Sequence, residues 1–232
     1  MAGLGTVINT AAILAGGLLG RLFGRFLKDS TQEALTRICG VSTIFIALSG
    51  ALAQMEVVEN NAMLIIGCLA LGALIGETLN IEGAFERFGA WLKEKTGNSK
   101  DGQFIDAFVT ASLSVCIGAM AIVGAIQDGI AGDYSILLTK AALDLVIIMA
   151  MTASLGKGAV FSAIPVAVFQ GSITVLAGLI KGIMTPEAMT NLGLIGNIMV
   201  FCVGVNLMLG KKIRVANLLP AIVAAVAAAF IW

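Results

Sequence analysis

Long apolar runs separated by short charged turns repeat along the whole chain. They fall at about residues 5–26, 34–54, 61–79, 104–130, 134–155, 159–183, 188–209 and 215–232. Each is close to the ~20 residues that an α-helix needs to cross a hydrocarbon core of about 30 Å. Lipid offers no water to satisfy exposed backbone groups, so only helices and closed barrels span it. The roughly ten-residue alternation of a barrel strand is absent, and the runs predict eight transmembrane helices in an all-α, polytopic membrane fold. Residues Ile81 to Lys95 read differently. Phe85, Phe88, Trp91 and Leu92 recur at helical spacing with Glu82, Glu86, Arg87, Lys93 and Glu94 between them. This pattern predicts one amphipathic helix lying along the membrane surface.

A repeat is superposed on the runs. Thr31-Gln-Glu-Ala-Leu-Thr36 returns as Thr185-Pro-Glu-Ala-Met-Thr190, 154 residues later. At the same offset Gly17 matches Gly171, Gly24 matches Gly178, Ile44 matches Ile198 and Gly50 matches Gly204. The chain divides accordingly: repeat 1 over residues 1–80 with three spans, the amphipathic helix and a cytoplasmic loop over 81–103, two spans over 104–157, and repeat 2 over 158–232 with three more. Thr31 and Thr185 are placed as helix N-caps. Glu33 and Glu187 follow in the first turn, where the helix dipole favours an acid, and Pro186 takes the first helical position.

Lys and Arg gather in cytoplasmic loops. Assigning the loops alternately places 12 of the 14 on one side and leaves Lys140 and Lys181. Both termini then lie outside, the amphipathic helix faces the cytoplasm, and the two repeats enter the membrane from opposite sides. Inverted repeats of this kind build many secondary transporters, with sites near the midplane where helices break.

Composition sharpens the class. Of 232 residues, 59% are hydrophobic and 12% charged, against about 25% charged in soluble domains, so the partner of most of the surface is the lipid bilayer. Zero net charge gives no footprint for a nucleic acid. His is absent, which removes the commonest physiological-pH proton carrier and metal ligand. With no nucleophile–base pairing either, no enzyme and no cofactor are expected. The four cysteines form no CxxC and read as free small hydrophobes. The N-terminus lacks the basic region of a signal peptide, so the first run is expected to be a retained span.

Candidate chemistry lies in the middle of the runs. Asp144 sits mid-span with Lys140 one turn earlier, and the i, i+4 spacing puts both on one helix face. Intramembrane charges face a cavity or a partner. The pair therefore reads either as a self-neutralising structural bridge or as a proton or cation site with Lys140 as counter-charge. A coupling H+ or Na+ is the ion such a site would take. Gln170 and Gly171 occupy the middle of the sixth run, and Thr43 corresponds to Asn197 by the repeat. Pro165 removes a backbone donor, so a helix break is expected there. Gly118 to Gly129 is rich in small residues and ends in Gln127 and Asp128, placed to form an outer entrance or a turn. Gly16, Gly20 and Gly24 form a ladder suited to close helix packing.

Gly5-Thr-Val-Ile-Asn-Thr10, the Gly118–Gly129 stretch, and Phe161-Ser-Ala-Ile-Pro165 with Gln170-Gly171 resemble the YqgA-like family of bacterial inner-membrane proteins, over essentially the whole chain. The resemblance implies a multi-pass inner-membrane protein of the transport class and carries no substrate or site residue. The expected function is a secondary transporter of a small solute or ion working by alternating access. The alternatives are an ion channel and a non-transporting scaffold or assembly protein. Glycine-rich helix faces also raise a homodimer.

Overall fold

The computed structural model describes residues 3–24, 26, 28–58, 61–116, 119–182 and 184–231. The elements, in order, are α1 (Leu4–Gly24), α2 (Asp29–Met55), α3 (Asn61–Leu79), α4 (Ile81–Lys95), α5 (Phe104–Cys116), α6 (Ala119–Ala131), α7 (Ser135–Leu155), a 3-10 segment (Lys157–Ser162), α8 (Ala163–Val175), α9 (Ala177–Ile180), α10 (Pro186–Leu209), a second 3-10 segment (Val215–Leu218) and α11 (Pro220–Ala228). Among the described residues there is no strand, as apolar runs without alternation require.

Among the described residues six helices are long and apolar enough to cross a membrane, and α5 with α6, bent by 60° to one another, would make a seventh. The eighth expected span is shorter than the sequence suggested. Pro220 opens a new helix after the 3-10 segment, and the apolar helix over Val215–Ala228 reaches only about 21 Å at 1.5 Å per residue.

Helix pairing follows the small residues. The glycine ladder of α1 lies on α7, running parallel to it: a Cβ on Gly16 would overlap the Leu145 carbonyl oxygen, and one on Gly20 the Met149 carbonyl oxygen. Such close backbone approach is how helices associate without a hydrophobic driving force between them. α2 runs antiparallel to α10, with Gly40 against Leu207 and Met208 and Gly50 against Asn197. α3 runs antiparallel to α11, Gly72 meeting Ala221 and Gly76 the Asn217 carbonyl. The glycine faces that raised a second copy are thus largely occupied within the chain.

Two local expectations are corrected. Thr31 is not an N-cap. α2 begins two residues earlier, after Lys28, and has no side-chain cap. Thr185 is one, its hydroxyl accepting from the Ala188 N–H at 3.1 Å, with Pro186 next. Pro165 breaks nothing, because it sits in the first turn of α8, where the missing donor would be unpaired in any case. The breaks fall instead between α5 and α6 and at Leu176, between α8 and α9.

Candidate ion-binding site

Lys140 and Asp144 pair at 2.5 Å, one turn apart on α7 and almost wholly buried. The ammonium has a second partner, the Val115 carbonyl at 2.8 Å. That carbonyl is available because α5 stops at Cys116. The last four carbonyls of a helix have no partner within it, and the negative end of the dipole lies there.

A polar column runs along α1 beside this pair. Asn9 donates to Gln170 Oε1 on α8 at 3.2 Å, both side chains being fully buried, and the Asn9 side chain also faces the Asp144 carboxylate. One turn nearer the start of α1, the Thr6 and Thr174 hydroxyls meet at 3.5 Å. Next, the buried Asp128 carboxylate on α6 accepts the Gly5 N–H at 3.0 Å. An acid there satisfies one of the open donors of the helix start and its positive dipole end. Three atoms of this column are buried without a partner: Asn9 Oδ1, Gln170 Nε2 and Asp128 Oδ1. Buried polar atoms are nearly always paired, and half of the unpartnered ones among the described residues lie in this column.

Of the residues singled out from the sequence, Asp144, Lys140, Gln170 and Asp128 belong to this assembly. Gln127 does not. The Asp-Gly that promised a turn lies inside α6, so Gln127 is exposed while Asp128 points inward. Gly171 faces open space. Asn197 lies over Gly50 and Thr43 is half-buried on the facing helix, so both belong to the α2–α10 interface. Gly118 lies outside the described residues. Asn9, Thr6 and Thr174 were missed, although a signal existed: the stripe Gly20, Gly16, Ile13 continues at helical spacing to Asn9 and Thr6, and all are buried.

At the α4 end of the bundle a cavity of about 260 Å³ opens between α2, α5 and α10. Thr36, Gln103, Asp106, Thr110 and Asn206 give it a partly polar lining, and on α5 it reaches Leu113, two residues short of Val115. Beside its mouth, α4 is tied to the loop after α10. The Glu82 N–H donates to Asn217 Oδ1 at 2.7 Å, and the buried Glu82 carboxylate accepts the Ala216 N–H at 3.3 Å. Lys211 pairs with Glu82 at 2.8 Å and also with Glu86, and Arg214 pairs with Glu77 at 2.9 Å. Partial burial opposes the charge of Lys211, but the two carboxylates outweigh it and lift its ammonium above the usual lysine range. At the opposite end the side chains of the column from Asp128 to Gln170 are buried.

Apolar helices of spanning length and buried paired charge define a polytopic helical membrane protein. The chain belongs to the DUF554 family, described as a protein of unknown function, whose model matches residues 4–230. Among its relatives is the uncharacterized membrane protein YdfK of Bacillus subtilis (strain 168), 28% identical over 218 residues, which cover 94% of this chain and 92% of that protein. Another is the uncharacterized protein YqgA of Escherichia coli (strain K12), 29% identical over 233 residues, covering 99% and 97%. No solved structure matches the chain.

Proposed function

We propose that the protein is a secondary transporter of a small ion or solute, working by alternating access around the Asp144–Lys140 pair. The observation that carries this reading is the pair's position. It is buried at the open end of a broken helix, with a cavity approaching from one side and a closed polar column on the other. Ion sites in transporters use carbonyls freed at such breaks.

The helix pairing supports an inverted repeat. Each element of the first half packs against its own counterpart at offset 154: α2 on α10, α3 on α11, and α1 on the segment that holds α8. Gly50 rests on Asn197, while its counterpart Gly204 rests on Ile44, next to Thr43, the counterpart of Asn197. An axis in the membrane plane requires this reciprocity. On this reading the eight segments run 3 + 2 + 3 across a bacterial inner membrane, both termini are outside, and the form seen here is open to the cytoplasm. A channel would need a pore continuous through the column, and the buried side chains of the column favour the transporter.

The test is side-dependent labelling in oriented vesicles, with the four native cysteines replaced. A cysteine at Thr110 should react with an impermeant thiol reagent from the cytoplasmic side. One at Thr174 should react from the outside in a fraction of molecules, and trapping either position should protect the other. Simultaneous reaction of both would identify a channel. A Thr174 position closed under every condition would leave the scaffold.

A further inference from the structure

We propose that α4 docks on anionic phospholipid headgroups through an exposed ridge formed by Arg87, Phe88, Trp91 and Lys95. Lipid binding at this surface is independent of transport.

The place of α4 follows from the chain. It starts at Ile81, two residues after the apolar α3 ends at Leu79. Asn80 between them takes a left-handed backbone at φ 48, and its side chain accepts the Gly83 N–H at 3.3 Å. This turn ends one helix and caps the next, which keeps α4 beside the end of a span. The helix then has two faces. Ile81, Phe85 and Leu92 pack into the core, and Gly89 lies against the Phe108 ring. The face that would otherwise float on lipid is therefore spent on α5. On another, exposed face Arg87, Trp91 and Lys95 follow at four-residue spacing, with Phe88 beside them. Phe88 is 39% exposed and Trp91 51%, and their rings stack with centroids 5.8 Å apart. Tryptophan, with an apolar body and one N–H donor, belongs at headgroup level.

Charge then selects the lipid. In the sequence α4 is balanced, with Glu82, Glu86 and Glu94 against Arg87, Lys93 and Lys95. The fold removes that balance from its outer surface. Glu82 and Glu86 line a crevice with Lys211, Lys212 and Arg214 from the loop after α10. Lys211 pairs with both acids, and Arg214 pairs with Glu77, so three cations there meet three carboxylates. What remains on α4 is Arg87, Lys93 and Lys95 against Glu94 alone. Among the described residues none of these three cations has an ion-pair partner. Basic residues on an amphipathic helix at a membrane are drawn to anionic headgroups. Inorganic phosphate would meet the charges but not the bare aromatic pair, which needs the apolar edge of a bilayer.

Trp91 reports its own contact. The chain has two tryptophans, and Trp232→Phe leaves Trp91 as the only one. The full chain is reconstituted into mixed vesicles of phosphatidylcholine and phosphatidylglycerol. One lipid or the other carries bromine high on its acyl chains as a fluorescence quencher. A basic residue at an anionic surface strengthens binding about fivefold. Brominated phosphatidylglycerol should therefore quench Trp91 with at least about a fivefold preference over brominated phosphatidylcholine at equal mole fraction. Salt at about 1 M, where the Debye length is about 3 Å, should remove the preference. Arg87→Gln with Lys93→Gln and Lys95→Gln should lose the preference and keep the quenching, with thermal unfolding little changed because surface substitutions rarely destabilise. Equal quenching by the two lipids with the basic residues intact overturns the proposal. So does quenching by neither, which would assign the ridge to a protein partner or a second copy.

Discussion

A lysine or an aspartate at mid-membrane costs about 2.5–3.5 kcal/mol on insertion scales, and the cost falls when each neutralises the other and finds further hydrogen bonds. Lys140 and Asp144 meet both conditions through their own pair and the Val115 carbonyl. Removing one partner strands the other. In a buffer free of alkali cations, Lys140→Met should destabilise the chain by about 3–5 kcal/mol, while Lys140→Met with Asp144→Leu should lose much less. Thermal unfolding in detergent measures both, and a double variant as unstable as the single one would contradict the pairing. This pair was legible because i, i+4 spacing needs only a helix. Asn9 and Thr6 were not, because polar residues near the start of an apolar run read as its boundary. They become visible only when the buried glycine stripe is followed back along α1. Gln127 and Asp128 read together as an outer entrance or a turn, but the apolar residues flanking Asp-Gly carry α6 on to Ala131, and neighbours about 100° apart on a helix face different ways.

At the scale of elements, the small residues decide which helices meet. Gly20→Leu would drive a side chain into the Met149 carbonyl of α7, and overpacking of this kind costs about 1–3 kcal/mol. Gly171→Ala, facing open space, should be neutral or slightly stabilising. The same unfolding assay separates the two, and equal losses would contradict the α1–α7 packing. The α4 clasp has its own pH signature. Lys211 has a raised pKa in the folded chain, so its contribution is fully present below the ordinary lysine pKa and is lost only as pH rises past the raised value. The lysine's side of the clasp therefore stays constant through neutral pH, and hydrogen-exchange protection of α4, taken relative to the intrinsic exchange rate at each pH, that fell between pH 7 and pH 9 would contradict this. The apolar runs revealed the helices because their length follows from the bilayer. The breaks were less legible. Pro165 promised one, but a proline in a first turn costs nothing, and the α5–α6 bend lies in an apolar run with no proline. Thr31 and Thr185 share a motif but not a role, since the helix begins two residues before the first and one residue after the second.

At the scale of the molecule, the alternation of segments and the placement of Lys and Arg predict a topology in which a cysteine at Asn98 is labelled only from the cytoplasm. Labelling from outside would invert the scheme. The glycine faces between α1 and α7, α2 and α10, and α3 and α11 are filled within the chain, and the exposed apolar side chains of α2 and α3 are left for lipid. Transport requires that the buried pair takes part in moving ions. Protein reconstituted into vesicles and given an inward Na+ or proton gradient at zero membrane potential should move that ion faster than empty vesicles do. Asp144→Asn, folded as judged by its unfolding profile, should fall to the rate of empty vesicles. Undiminished ion flux through Asp144→Asn would contradict the central claim.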